Sequence, residues 1–127
     1  MCSRRADAFK VWVALQRYGA DGIGALYDRL CETTRTLYEL LRARSDFTVP
    51  HEPESNILCF RYTPAGVSDE ALDTVNRELR ERYNRSGAGW ITGTVLGGRR
   101  VLRVTVMNPR TGREHVERLV DGLVSQA

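Results

Sequence analysis

Two histidines, His51 and His115, and three cysteines, Cys2, Cys31 and Cys59, are the residues of this chain best suited to nucleophilic or metal chemistry. A nucleophile needs a base within hydrogen-bond reach and a third group to orient that base. Neither histidine has a Ser or Cys partner nearby in sequence: His51 lies in a polar loop between Pro50 and Pro53, and His115 falls in the first turn of a terminal helix beside Val116. Cys31 adjoins an apolar helical stripe and Cys59 is central to a strand, so both thiols read as small buried apolar groups. No His, Cys and carboxylate cluster has ligand spacing, and no metal site is expected. Gly97-Gly98-Arg99-Arg100 joins two strands instead of opening a helix, so it reads as a hairpin turn and not as a phosphate cradle. Gly22 and Gly24 alone do not make a dinucleotide fingerprint.

One position breaks its local rule. Arg103 stands mid-strand in a run, Val101 to Met107, that is otherwise apolar or Thr. Burying a guanidinium unpaired is prohibitive, so it must meet solvent, a carboxylate or a ligand anion. A solvated outer sheet face accounts for it; so does a carboxylate clamp using the bidentate fork of Arg. Arg4-Arg5 is a smaller misfit, because positive charge at a helix start opposes the macrodipole.

The elements that would position these residues follow from periodicity. Ala8, Val11, Trp12 and Leu15 give a helix over about 5–18, with Gly19 as its stop. Asp21 caps a longer helix that keeps Ile23, Leu26, Tyr27, Leu30, Thr34, Leu37 and Leu41 on one face to about Arg44. Strands are expected at Phe47–Val49 and Asn56–Tyr62, joined by the polar loop 50–55, whose prolines cannot donate to a ladder. Ser68 caps the next helix, with Asp69 and Glu70 in its first turn and Leu72, Val75, Leu79 and Tyr83 buried. From Gly89 the period becomes two, giving a hairpin about Gly97-Gly98. Thr111 and Glu114 form a capping box for the last helix, whose apolar face is Val116, Leu119, Val120, Leu123 and Val124. The order α-α-β-β-α-β-β-α predicts an α+β fold: a small antiparallel sheet of about four strands, covered mainly on one face.

Composition bounds the class. The 127 residues are 42% hydrophobic, 8% aromatic and 28% charged, which suits one globular domain over 1–127. No apolar run reaches the roughly 20 residues needed to span a bilayer, and no secretory signal is evident near Met1. The net charge is only +3, with both signs mixed along the chain, so nucleic-acid binding is not favoured. Lys10 is the single lysine, so nearly all the basic residues are arginines. An odd number of cysteines without metal spacing fits a reducing, cytoplasmic compartment.

Three segments carry a resemblance. Ser3-Arg4-Arg5-Ala6-Asp7-Ala8-Phe9-Lys10-Val11-Trp12, followed by Arg17-Tyr18-Gly19 and Gly22, resembles the start of the C-terminal region of the group II pyridoxal-phosphate-dependent amino-acid decarboxylases. Asn56-Ile57-Leu58-Cys59-Phe60-Arg61-Tyr62 is similar to a strand of that family. Val101-Leu102-Arg103-Val104 through Asn108-Pro109-Arg110-Thr111 looks like its closing strand and the start of its last helix. The matches keep their order over nearly the whole chain.

The resemblance implies the small C-terminal domain of a carboxy-lyase of amino-acid metabolism. Residues 1–19 would join it to a missing large domain, and 20–127 would be the small α+β domain, as in fold-type I enzymes. Family members hold pyridoxal 5'-phosphate as a Schiff base on a lysine that follows a histidine. This chain has no His-Lys pair, and Lys10 matches a different segment. The chain alone is therefore expected to bind no coenzyme and to be inactive. By the same resemblance, Arg103 matches the arginine that binds the substrate carboxylate, while Arg4 and Arg5 match arginines near the cofactor pocket. The full-length protein is expected to be a homodimer without nucleic-acid or membrane partners. Phe9, Trp12 and Val13 should form an exposed patch where the large domain docks. The alternative is a free-standing α+β module binding nucleic acid or a small ligand.

Overall fold

The computed structural model describes residues 6–127. Helix α1 spans Asp7–Arg42 and breaks at Gly19, the one residue in it with non-helical dihedrals (φ 67, ψ 177). A side chain rarely adopts that φ, so glycine lets the helix change direction there. The break matches the stop expected at Gly19. The helix resumes at once, so Asp21 lies in its first turn and does not cap it. Before Gly19 no described residue of α1 is buried; beyond it Thr34, Leu37 and Leu41 are.

Strand β1 (Phe47–Thr48) and strand β2 (Ile57–Tyr62) are followed by α2 (Asp69–Ser86), the hairpin β3 (Thr92–Leu96) and β4 (Arg99–Thr105), and α3 (Arg113–Ser125). The four strands form one antiparallel sheet ordered β1-β2-β4-β3. With α1 counted as two helices about its break, this is the expected order and fold class. The hairpin turns at Gly97 and Gly98, both at positive φ (56 and 78), as the tight primed turns require.

All three helices lie on one sheet face. Leu58, Phe60 and Leu102 point to that face and meet Leu37 and Leu41 of α1, Leu79 and Tyr83 of α2, and Val116, Val120 and Leu123 of α3. Each such burial stabilises the fold by about 1.5–3 kcal/mol before the entropy of ordering is counted. Alternate residues Ile57, Cys59 and Arg103 take the other face, which no helix covers there.

Three expectations for the helices are corrected. Asn76, not Val75, fills the buried stripe of α2; Val75 is half-buried. Ser68 stands at the N-cap of α2 in extended conformation, but its side chain makes no capping bond. The last helix begins after Gly112, and it is His115 that reaches back: its Nδ1 accepts the Gly112 N–H at 3.2 Å, in place of the expected Thr111–Glu114 box. The acceptor fits because the imidazole sits in the same third helical position as a capping-box Glu.

Asn76 is buried because the sheet needs it. Strands β2 and β4 run in register from Ile57↔Thr105 to Phe60↔Leu102. Continuing that register would pair Tyr62 with Arg100. Instead Asn76 Oδ1 accepts the Tyr62 N–H and its Nδ2 donates to the Tyr62 carbonyl, both at 2.8 Å. Asp73 Oδ1 accepts the Arg100 N–H at 2.9 Å. The start of α2 is thus wedged between two strands, and its side chains satisfy the separated backbone groups. Arg61, 6% exposed, ties the wedge down through Asp69 and Asp73, each at 2.6 Å.

Candidate functional site

Arg103 is exposed on the uncovered sheet face. Its Cα partners are Cys59 on β2 and Thr92 on β3. The Arg103 Nε donates to Thr92 Oγ1 at 3.3 Å, and that hydroxyl donates to the Arg103 carbonyl at 3.0 Å. Among the described residues no carboxylate pairs with Arg103, whereas Arg44, Arg61, Arg99 and Arg113 all have one within 3.0 Å. A guanidinium fixed at one nitrogen with its two terminal amino groups open can receive a carboxylate in bidentate fashion.

Cys59 beside it is half-buried, not fully buried as the sequence suggested, and so is Cys31. Burial raises the Cys59 thiol above its ordinary pKa, while the Arg103 charge pulls it down. The thiol side therefore offers Arg103 no counter-charge near neutral pH.

Next to Arg103 the sheet edge opens. Strand β3 stops at Thr92, and a slot of about 260 Å³ lies between it and the end of β4, lined by Trp90, Ile91, Thr92, Arg103, Val104, Thr105, Met107 and Leu119. It continues into a groove of about 740 Å³ that adds Tyr83, His115 and Arg118 among its walls. The Tyr83 ring is packed tightly: a Cβ on Gly122 would come within 2.8 Å of its Cε2. Burial raises the Tyr83 phenol above its ordinary pKa. Sequence reading missed this groove. Trp90 carried the one usable signal, a large aromatic outside every helical or strand stripe, 75% exposed here.

The other expected sites fare differently. Arg4 and Arg5 lie outside the described residues. His51 is exposed in the 50–55 loop. Among the described residues no group of three or more His, Cys, Asp or Glu could hold a metal ion, and no helix is long and apolar enough to cross a membrane. The expected apolar patch is present: Phe9, Trp12 and Val13 are 62%, 56% and 43% exposed, and the Phe9 and Trp12 rings stack at 5.8 Å.

A pyridoxal cofactor does not fit the residues present. It needs an amine in an enclosed site. Lys10, the single lysine, stands exposed on α1, where its Nζ binds Asp7 at 2.7 Å. It lines none of the cavities described above.

Comparison with known proteins agrees with this architecture. Residues 1–63 match the family described as the pyridoxal-dependent decarboxylase conserved domain. The L-2,4-diaminobutyrate decarboxylase of Rhizobium meliloti (strain 1021) is 28% identical over 121 residues, 95% of this chain and 24% of that protein. A crystal structure of Oryza sativa TDC with PLP and tryptamine superposes with a TM-score of 0.82 at 27% identity, over 92% of this chain and 25% of that one. The glutamate decarboxylase domain of a two-function protein from Vibrio parahaemolyticus gives 0.85 at 27% identity, over 97% of this chain and 26% of that one. In fold and in sequence the chain is similar, over nearly its whole length, to pyridoxal-phosphate-dependent amino-acid decarboxylases. It spans about a quarter of the length of the relatives it matches.

Proposed function

We propose that this chain is the small C-terminal domain of a pyridoxal-phosphate-dependent amino-acid decarboxylase. In this reading it works with a large domain that holds the coenzyme and forms a homodimer in the cytoplasm. The single observation that carries the reading is Arg103: a guanidinium with no carboxylate partner among the described residues, on an open sheet face, in a segment that resembles the one carrying the family's substrate-carboxylate arginine. Its role is to bind and orient the carboxylate, with Thr92 fixing the guanidinium through Nε. A permanently charged group there moves no proton. The exposed stack of Phe9 and Trp12 supports a docking face on α1 for the large domain.

The alternative, a nucleic-acid module, is disfavoured by the pairing of basic groups. Arg35, Arg82, Arg85 and Arg113 all have a carboxylate within 4 Å. Arginines neutralised by neighbouring carboxylates do not make a continuous phosphate-binding face.

The test adds pyridoxal phosphate to the purified chain, with and without the large domain of a relative, and follows carbon dioxide release from amino acids. The chain alone should give no release and no stoichiometric, borohydride-trappable adduct on Lys10. Decarboxylation by the chain alone would overturn the reading.

A further inference from the structure

We infer that the slot beside Arg103 selects the substrate's side chain, taking an aromatic or long apolar group in preference to an acidic one. The inference rests on the reading of Arg103 as the carboxylate anchor, and it adds Trp90 and Met107 as the residues that set specificity.

The slot is built into the strand register. Thr92 stands opposite Arg103, so the register would continue through Ile91 and Val104 to Trp90 and Thr105. The last pair does not form, and Asn84 of α2 holds both backbone groups of Ile91: its Oδ1 accepts the N–H at 2.9 Å and its Nδ2 donates to the carbonyl at 3.0 Å. The chain before β3 is thus held by α2 and lies outside the β3–β4 ladder. On β4, the Val106 N–H points to Asn56 of the β2 side at 2.9 Å. Backbone directions alternate along a strand, so Thr105 turns its N–H and C=O the other way, into the slot. The opening is therefore a missing rung of the ladder, framed by a hydrogen-bonded edge.

Its walls are apolar. Trp90 and Met107, 75% and 78% exposed, line it together with the half-buried Val104 and Leu119. Arg103 is the one charged residue among those lining it. A ligand whose carboxylate sits on Arg103 lays the rest of its body against the Trp90 ring and the Met107 thioether. Both surfaces favour flat or polarisable groups. An acidic side chain in the same place would lose hydration and meet no second cation among the slot's lining residues. Arg118 and His115 line the wider groove and not the slot, so they are reached only by a longer molecule.

The experiment titrates the chain with indole-3-propionate and, separately, with glutarate, and follows the Trp90 indole and Arg103 Nε–H signals by NMR. Indole-3-propionate should shift both signals saturably and bind at least about tenfold more tightly than glutarate. Trp90→Ala should weaken it by roughly tenfold, the loss expected of one aromatic contact with its buried area. Arg103→Gln should remove the response of both probes. If glutarate moves Arg103 as readily as indole-3-propionate does, the anchor stands and the apolar selection falls. If neither probe moves Arg103, the anchor itself falls and takes this inference with it. A response confined to Trp12 on α1 would also overturn the inference.

Discussion

Asn76 of α2 binds both backbone groups of Tyr62 of β2, at 2.8 Å each, in the place where β4 would otherwise pair. Its Nδ2 also donates to the Leu72 carbonyl at 2.8 Å, so a fully buried amide makes three bonds. The amide holds the sheet open at one end while letting a helix enter it. Asn76→Leu keeps the volume but strands the Tyr62 N–H and C=O. Each unsatisfied buried group costs about 1–3 kcal/mol, so the variant should lose roughly 2–6 kcal/mol in urea unfolding. A loss under about 0.5 kcal/mol, the level of an ordinary surface change, would remove the wedge from the account.

Asp73 makes the same region acid-sensitive. It accepts the Arg100 N–H and the Arg61 guanidinium, and these hold its carboxyl below the ordinary value of 3.8. Asp46 is held low in the same way by Arg44. A depressed carboxyl binds its proton more weakly in the folded state than in the unfolded chain. Its stabilisation is therefore full above the ordinary carboxyl range and is lost as pH falls through the lowered folded pKa. The thermal midpoint should drop as pH falls below the ordinary carboxylate range, about pH 4. Asp73→Asn should flatten that decline, and an unchanged slope would assign it to other groups.

Arg103 should matter to function and not to folding. It is exposed and forms no ion pair among the described residues. Arg103→Ala should leave the unfolding midpoint of the chain within the scatter of a surface change, about 0.5 kcal/mol. Joined to the large domain that the proposed function requires, the same variant should lose about 2–4 kcal/mol of carboxylate binding, roughly 30–1,000-fold in kcat/KM. An unchanged kcat/KM would take Arg103 out of the site.

The N-terminal arm of α1 should drive self-association of the isolated chain. Phe9, Val11, Trp12 and Tyr18 are each half exposed or more. Sedimentation at rising concentration should show dimers or larger species, and Phe9→Glu with Trp12→Glu should return the chain to a monomer. A monomeric parent chain at high concentration would argue against a docking face.

Gly122 is small because of Tyr83. A methyl at that position would press within 2.8 Å of the Tyr83 ring edge. Gly122→Ala gains helix propensity but overpacks the core, a change that costs about 1–3 kcal/mol. Calorimetry should find it destabilised; a more stable variant would mean that the ring shifts freely.

The sequence by itself determined the order of elements, the covered sheet face and the oddity of Arg103. Those properties follow from periods of 3.6 and two, from Gly19 and the Gly97-Gly98 turn, and from the cost of burying a lone guanidinium. It did not disclose Asn76 in the core, His115 as the capping acceptor or the slot at Trp90. Each depends on backbone groups whose partners are set by strands and helices far apart in sequence, and local patterns are blind to that. Tyr62 lacks a β4 partner where Asn76 and Asp73 of α2 take up the backbone groups between the strands, and Thr105 lacks a β3 partner where the chain before Thr92 is held by Asn84. Tertiary structure decides such gaps, because an unpaired backbone group must find a partner or face an opening.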